Sequence, residues 1–274
     1  MIPKELKEVY EKGAFGLYIG AGISQASGLP SWSQLLTELI DLAEEYNISK
    51  DKCNELRTLI KDPSKYLLIA EDLKELLPGD LFKYFKNRFD NRKDKPSELL
   101  RKIIKLRTRF IITTNYDTLI EKAYIEINEQ PNDITYKDAS TINYNLLNNE
   151  RFLLKAHGDA RRSPDEIIIT ERDYRQIIFR EKGYQSVLYA MFSMCHVLFL
   201  GVSLNDPELR LMLGFIHNIF HGGSPEHFAI MSNKNLSKTE IDRWRKDFRI
   251  TIIGYDPKNN HEELENFINE LLKF

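Results

Sequence analysis

Four short stretches place small and polar side chains where apolar runs stop. They are Gly20-Ala-Gly22-Ile-Ser24, Thr113-Thr114-Asn115-Tyr116-Asp117, Lys155-Ala-His157-Gly158-Asp159 and Gly201-Val202-Ser203-Leu204-Asn205-Asp206. Small residues such as Gly20, Ala21 and Gly22 let a backbone approach a phosphate closely, and free N–H groups at a loop or helix start can hold the anion. The amide of Asn115 can both donate and accept. His157 brings an imidazole with an ordinary pKa near ~6.5, suited to taking up a proton at neutral pH. Together these offer small and polar groups suited to one shared cleft. Each also has a plainer reading. Gly-x-Gly serves tight turns, Asn115, Asp117, Asn205 and Asp206 are ordinary helix-capping types, and a histidine at a strand end can be structural.

The elements that must position these residues alternate along the chain. Residues 14–19, 109–114, 151–156 and 197–202 read as buried strands, with weaker late strands at 227–231 and 250–253 and a short one at 167–169. A helix starts near Trp32, where Ser31 and Gln34 fit a capping box, and Leu35, Leu36, Leu39, Ile40 and Ala43 follow at helical spacing. Further helices follow Asp117, fill 171–195, and start at Asp206-Pro207 with aspartate as cap and proline in the first turn. Asn259 or Asn260 is placed to cap the last one. Residues 48–97 read as a helical insertion whose charged end, 86–95, is a solvated surface, and residues 130–148 show no clean period. The pattern predicts one Rossmann-like α/β domain over 1–274: a mostly parallel sheet, helices on both faces and a small helical insertion. Ligands of such sheets bind beyond the carboxyl ends of the strands, which is where the four stretches fall.

Composition excludes several classes. Lys plus Arg number 39 against 41 Asp plus Glu, a net charge of −2, so direct nucleic-acid binding is not expected. The longest apolar run, Val197 to Leu204, is far short of the ~20 residues that span a bilayer, and the first residues lack the apolar core of a signal peptide. Cys53 and Cys195 are the only cysteines, too few for a cysteine zinc site or a disulfide framework, so the expectation is a cytoplasmic protein without a zinc module or any metal. His217 and His221 stand four apart but lack a third ligand nearby. A hydride-transferring Rossmann site is disfavoured, because Gln25 occupies the place of the third fingerprint glycine and Asp41 lies inside the first helix pattern.

Taken together, Gly20-Ala-Gly22-x-Ser24-x-x-Ser27-Gly28-Leu29-Pro30, Asn115-x-Asp117, His157-Gly158 and Gly201-x-Ser203 resemble, in order, the NAD-binding motifs of the sirtuin superfamily. The resemblance spans about residues 14–256. Two departures stand out. Ser31-Trp32-Ser33 replaces the usual Asp-Phe-Arg, and the four zinc cysteines of protein deacylases are missing. With Trp32-x-x-Leu35-Leu36, Thr113-Thr114-Asn115-Tyr116-Asp117 and Thr170-Glu-Arg-Asp173-Tyr174, the chain is similar to the sirtuin-like domains of bacterial anti-phage systems, a branch that hydrolyses NAD.

The resemblance implies NAD as substrate, split into nicotinamide and ADP-ribose. It implies His157 as general base, acting on a water or a ribose hydroxyl, and Asn115 as the residue positioning water and ribose. Asp117 would hold the nicotinamide amide, or simply cap its helix. Gly20, Ala21, Gly22 and Ser24 would bind the diphosphate and adjacent ribose, with Thr114 beside them, while Gly201, Ser203 and Asn205 would contact the adenosine half. Trp32 covers the nucleotide or packs in the core. Arg161 and Arg162 either meet a 2′-phosphate of NADP or are surface charges. The competing readings are a protein deacylase or ADP-ribosyl transferase, and a domain that binds NAD or ADP-ribose without turnover. Because unregulated NAD hydrolysis kills its host, a regulatory domain or separate activating partner is expected, with a homo-oligomer, taken as a tetramer.

Overall fold

Residues 2–13 and 15–274 are described by a computed structural model. Seven strands form one sheet: β1 (Phe15–Ile19), β2 (Phe110–Thr113), β3 (Asp133–Thr135), β4 (Phe152–Lys155), β5 (His196–Leu200), β6 (His227–Ser232) and β7 (Ile250–Tyr255). Their order is β3-β4-β2-β1-β5-β6-β7, and every pairing is parallel. The Rossmann-like α/β fold expected from the sequence is thus what the chain adopts.

The central strands are buried on both faces, which is why they read as continuous apolar runs. Their side chains still divide by the two-residue period of a strand. Leu17, Ile111, Leu153, Leu198 and Phe228 enter one core, and Tyr18, Ile112, Leu154, Phe199 and Ala229 the other. The helices Trp32–Glu45, Tyr66–Leu76, Asp80–Phe89 and Lys258–Leu271 cover the first face, and Glu171–Phe179, Lys182–Met194 and Pro207–Ile219 the second.

From β1 the chain crosses to β2 and β4 on one side, then returns past β1 to β5 on the other. Strand order therefore reverses between β1 and β5, and a crevice opens there beyond the strand ends.

Local details depart from the sequence reading. Ile167–Ile169 form no strand. They are buried irregular backbone, in which Ile168 N–H donates to the His157 carbonyl at 3.0 Å and the Tyr116 hydroxyl donates to the Ile168 carbonyl at 2.7 Å. Residues 130–148, without a clean period, hold β3 and the helix Ala139–Asn148. The last helix starts at Lys258 with no side-chain cap, so Asn259 lies inside it. The side chain of Asn260 and residue 14, the expected start of β1, lie outside the described residues. His221 sits past the end of the helix Pro207–Ile219 with φ of +47°, so it does not share a helix face with His217. Among the described residues, no helix is long and apolar enough to cross a membrane.

Within 48–97 the chain forms the helices Lys50–Leu59, Tyr66–Leu76 and Asp80–Phe89 and the 3-10 turn Pro63–Lys65. Its charged end is not wholly a solvated face. Arg88 donates to Glu38 at 3.0 Å and to the Gly28 carbonyl at 3.1 Å.

Candidate active site

At the switch point two loops touch backbone to backbone. Gly20 N–H donates to the Leu200 carbonyl at 2.9 Å and Gly22 N–H to the Gly201 carbonyl at 3.0 Å. A Cβ on Gly20 would lie 2.6 Å from the Gly201 oxygen, and one on Gly201, whose φ is +65°, would lie 2.6 Å from Ile23 N. Both glycines of the Gly20-Ala-Gly22 turn therefore have their N–H groups engaged, so neither is the free anion donor expected from the sequence. Their glycine character is explained by the close approach of the loop after β5. Leu204 continues that loop with φ of +60°, a costly conformation for a non-glycine residue, and its fully buried side chain anchors it there.

The end of β2 supplies a chain of hydrogen bonds. Thr113 Oγ1 donates to the Ile19 carbonyl at 2.8 Å and accepts from Asn115 N–H at 3.1 Å, which fixes the turn into the next residues. Asn115 Nδ2 donates to Ser24 Oγ at 2.9 Å, and Ser24 Oγ donates to Asp117 Oδ2 at 2.8 Å. Asp117 Oδ1 accepts from Leu119 N–H at 3.0 Å, so from one residue before the N-cap, Thr118, it serves the first turn of the helix Leu119–Glu126 as well as facing the cleft. Burial pushes the Asp117 carboxyl above its usual range, against the opposing pull of Lys155 and of the two donors. Asn115 Oδ1 is buried without a protein partner.

Lys155, at the end of β4, supports this turn from beneath. Its fully buried ammonium donates to the Tyr116 carbonyl at 3.3 Å and to the Asp117 carbonyl, and pairs with Glu121 at 3.1 Å and Asp159 at 3.4 Å. Burial alone would lower the Lys155 pKa, but the carboxylates of Glu121, Asp159 and Asp117 outweigh it and hold the group charged. Arg161 completes the cluster against Glu121, Asp133 and Asp159, and Arg162 reaches Asp138 at 3.3 Å. Neither arginine lines the cleft; both serve acidic partners on the chain itself.

His157 follows Lys155 by two residues. Its ring meets Tyr174 edge to face, with centroids 5.2 Å apart. Nε2 lies 3.4 Å from Asp206 Oδ2 and 3.8 Å from Glu208 Oε2, and has no hydrogen-bond partner. Burial lowers the pKa of the imidazole, with Asp206 pulling in the other direction, so the ring is neutral at pH 7. Glu208 is fully enclosed. Burial first, and then the charge of Asp206, push its carboxyl up to about 8, against hydrogen bonds from Gln185 and Tyr184. Asp206 caps its helix through Oδ1, which accepts from Leu209 N–H at 2.9 Å, and Oδ2 accepts from the Tyr174 hydroxyl at 2.7 Å.

All of these strand ends open on one cleft of about 800 Å³. Gly20, Ala21, Gly22, Ser24, Trp32, Thr114, Asn115, Asp117, His157, Gly201, Ser203 and Asn205 all line it. Ser203 and Asn205 are exposed at its mouth, and Trp32 is half-buried, 6.2 Å from Tyr66. The sequence reading missed Tyr18, Tyr66, Phe89, Tyr174 and the cleft-facing role of Asp206, all of which line the same space. Asp206 carried a signal, the cap before Pro207, but nothing in its own stretch connects it to His157. The volume suits a ligand of dinucleotide size. Among the described residues, two groups gather metal-ligand types within 4.8 Å: His157 with Asp206 and Glu208, and Glu121 with Asp133 and Asp159. The second group is already paired with Lys155 and Arg161.

Comparison with known proteins shows the family. The family model described as the SIR2-like domain matches residues 109–253. The chain is 26% identical over 270 residues to the NAD(+) hydrolase ThsA of Bacillus cereus, covering 98% of this chain and 51% of that protein. It is 29% identical over 281 residues to the NAD(+) hydrolase ThsA of Enterococcus faecium, covering 99% and 53%. To the defense-associated sirtuin 2 of Bacillus subtilis it is 24% identical over 280 residues, covering 96% of this chain and 26% of that protein. The chain thus spans about half the length of the NAD(+) hydrolases it matches.

Proposed function

The chain belongs to the SIR2-like domain family, and from that premise we propose that it is an NAD glycohydrolase, splitting NAD into nicotinamide and ADP-ribose. The observation that carries this reading is the cleft at the switch point, which His157 lines and where buried Asn115 keeps its Oδ1 without a protein partner. Buried polar atoms are normally satisfied, and a bound substrate or water meets that need. The names of the relatives support the choice of NAD.

The nicotinamide of NAD is a cationic leaving group and departs as a neutral molecule, so neither acid assistance nor a metal is needed. Positive charge develops at the ribose carbon as the bond to nitrogen breaks. A water oxygen bonds to that carbon, and its proton passes to His157. Asn115, held by Ser24, orients the water and the ribose, and Asp117 holds the nicotinamide amide. The backbone around Ala21 holds the diphosphate side, beside Ser24, whose hydroxyl ties Asn115 to Asp117, and Gly201, Ser203 and Asn205 hold the adenosine half. Trp32 and Tyr66 form an apolar wall that keeps out bulk water. Such positioning supplies most of the rate when a nucleophile and a cationic centre must meet.

We place the whole of 1–274 in one NAD-binding unit, active in the bacterial cytoplasm as a homo-oligomer, tetrameric in our reading, that depletes NAD in an abortive anti-phage response. A regulatory domain holds it in check or a separate activating partner switches it on, since NAD loss is lethal to the host.

The test is to incubate the purified chain with NAD and separate nicotinamide, ADP-ribose and cyclic ADP-ribose by chromatography, alone and with candidate activators. Nicotinamide with ADP-ribose, lost in His157→Ala and Asn115→Ala, supports the proposal. Tight NAD binding with no turnover under any condition refutes it in favour of a binding domain. Sedimentation at micromolar concentration tests the oligomer; a monomeric mass contradicts it.

A further inference from the structure

We infer that Asp206 is the positioning residue of His157: it holds the proton of the neutral ring on Nε2 and so leaves the lone pair of Nδ1 as the basic site. This rests on the reading of His157 as the general base.

The contact is made by topology, not by neighbourhood in sequence. His157 stands just past β4, and Asp206 heads the helix Pro207–Ile219 beyond β5. The folded sheet brings Oδ2 to 3.4 Å from Nε2, slightly longer than a hydrogen bond, in a place where Nε2 has no other partner. In the inferred arrangement a small turn of the imidazole, with Asp206 in place, closes the gap. Asp206 is well fixed for the task. Oδ1 accepts from Leu209 N–H, and Oδ2 accepts from Tyr174, whose ring meets the His157 ring edge to face.

The groups that face the imidazole are Asp206, Glu208 and Tyr174, with Tyr18 and Tyr184 behind them. Asp206 is placed as the acceptor among them. Tyr174 donates to it, and Glu208, closed in by Gln185 and Tyr184, holds its own proton at neutral pH. An imidazole with N–H on Nε2 therefore meets an acceptor, whereas the other tautomer would set its Nε2 lone pair against the carboxylate. A buried carboxylate that fixes a tautomer and steadies the imidazolium formed during turnover is a known source of rate. When the water gives up its proton, Nδ1 receives it and the charged ring lies beside Asp206.

Asp206→Asn is a discriminating variant because asparagine is as good a helix cap as aspartate. With its oxygen kept on Leu209, its NH₂ turns to Nε2 and favours the opposite tautomer. In the full chain with ¹⁵N-labelled histidine, we expect long-range ¹H–¹⁵N spectra to show N–H on Nε2 of His157 in the native protein and on Nδ1 in Asp206→Asn. The kcat should fall about a hundredfold or more, with a smaller change in KM and an unchanged melting temperature. Tyr174→Phe, which leaves the cap alone, removes a donor from Oδ2. The freed carboxylate should raise the pKa of His157 and move the acid limb of kcat/KM to higher pH.

The same tautomer in native and Asp206→Asn proteins, with the acid limb unmoved in Tyr174→Phe, overturns the inference. The spectrum does not depend on turnover, so the two ideas fail separately. A fully active His157→Ala sinks the general-base reading, while a tautomer indifferent to residue 206 sinks this one.

Discussion

Asn115 gives its side-chain amide to the hydroxyl of Ser24 at 2.9 Å, tying the end of β2 to the loop after β1. The hydroxyl passes a hydrogen bond on to Asp117. Ser24→Ala would leave a buried amide donor without its acceptor and a buried carboxylate without one donor, at about 1–3 kcal/mol for each unsatisfied group. We expect a lower melting temperature and a drop in nicotinamide release of tenfold or more, with Ser24→Thr milder in both. Wild-type turnover by Ser24→Ala would mean that Asn115 does not need this tether.

Gly201→Ala tests the loop crossing. The new methyl would sit 2.6 Å from Ile23 N on a residue with φ of +65°, so strain and steric conflict act together at about 1–3 kcal/mol. The loop after β5 must move away from the one after β1, and the adenosine half should suffer most. The expected result is a raised KM for NAD, read in initial-rate assays, together with weaker binding of ADP-ribose by calorimetry. An unchanged affinity would show that the two loops can separate without cost to the site.

Lys155→Met removes the buried cation from beneath the Asn115 turn. Glu121 and Asp159 would keep Arg161 but lose a fully enclosed partner, and breaking a buried pair typically costs about 3–5 kcal/mol. Urea denaturation should show a loss of that order. Neutralising the acid as well, in Lys155→Met with Glu121→Gln, should recover part of it, and no recovery would locate the cost elsewhere.

Glu208 gives stability a pH dependence of definite sign. Its folded pKa of about 8 lies above the ordinary value of 4.5, so between those values the native state holds a proton that the unfolded state has released. That contribution is complete below the unfolded pKa and declines as pH rises through about 8. Glu208→Gln, which keeps an acceptor for Gln185, should flatten this slope and leave the variant relatively more stable at pH 9 than the native chain. Equal slopes in thermal melts between pH 5 and 9 would contradict the assignment.

The strands that carry the site were legible because central parallel strands are apolar along their whole length, and each ends abruptly in a polar motif. β3 escaped notice: its three residues are too few to show a period. The apolar run at Ile167–Ile169 misled for the opposite reason. It is hydrophobic enough for a strand, but its backbone is satisfied by the His157 carbonyl and the Tyr116 hydroxyl, and no ladder forms. The fine structure of the site was hidden. Asp206 announces itself as a cap, yet its distance from His157 is set by the order of β4, β2, β1 and β5. The N–H groups of Gly20 and Gly22 looked free because their acceptors, Leu200 at the end of β5 and Gly201 just past it, lie far along the chain.

The crossing of the loops after β1 and β5 also bears on how the cleft is assembled during synthesis. Gly20 is translated early, and Leu200, Gly201 and Asp206 leave the ribosome late. Until they arrive, the first loop lacks the backbone it rests on, and the crevice lacks one wall. A nascent chain that has emerged only as far as His157 carries the general base of our proposal without the wall of the cleft that Gly201 to Asp206 supply.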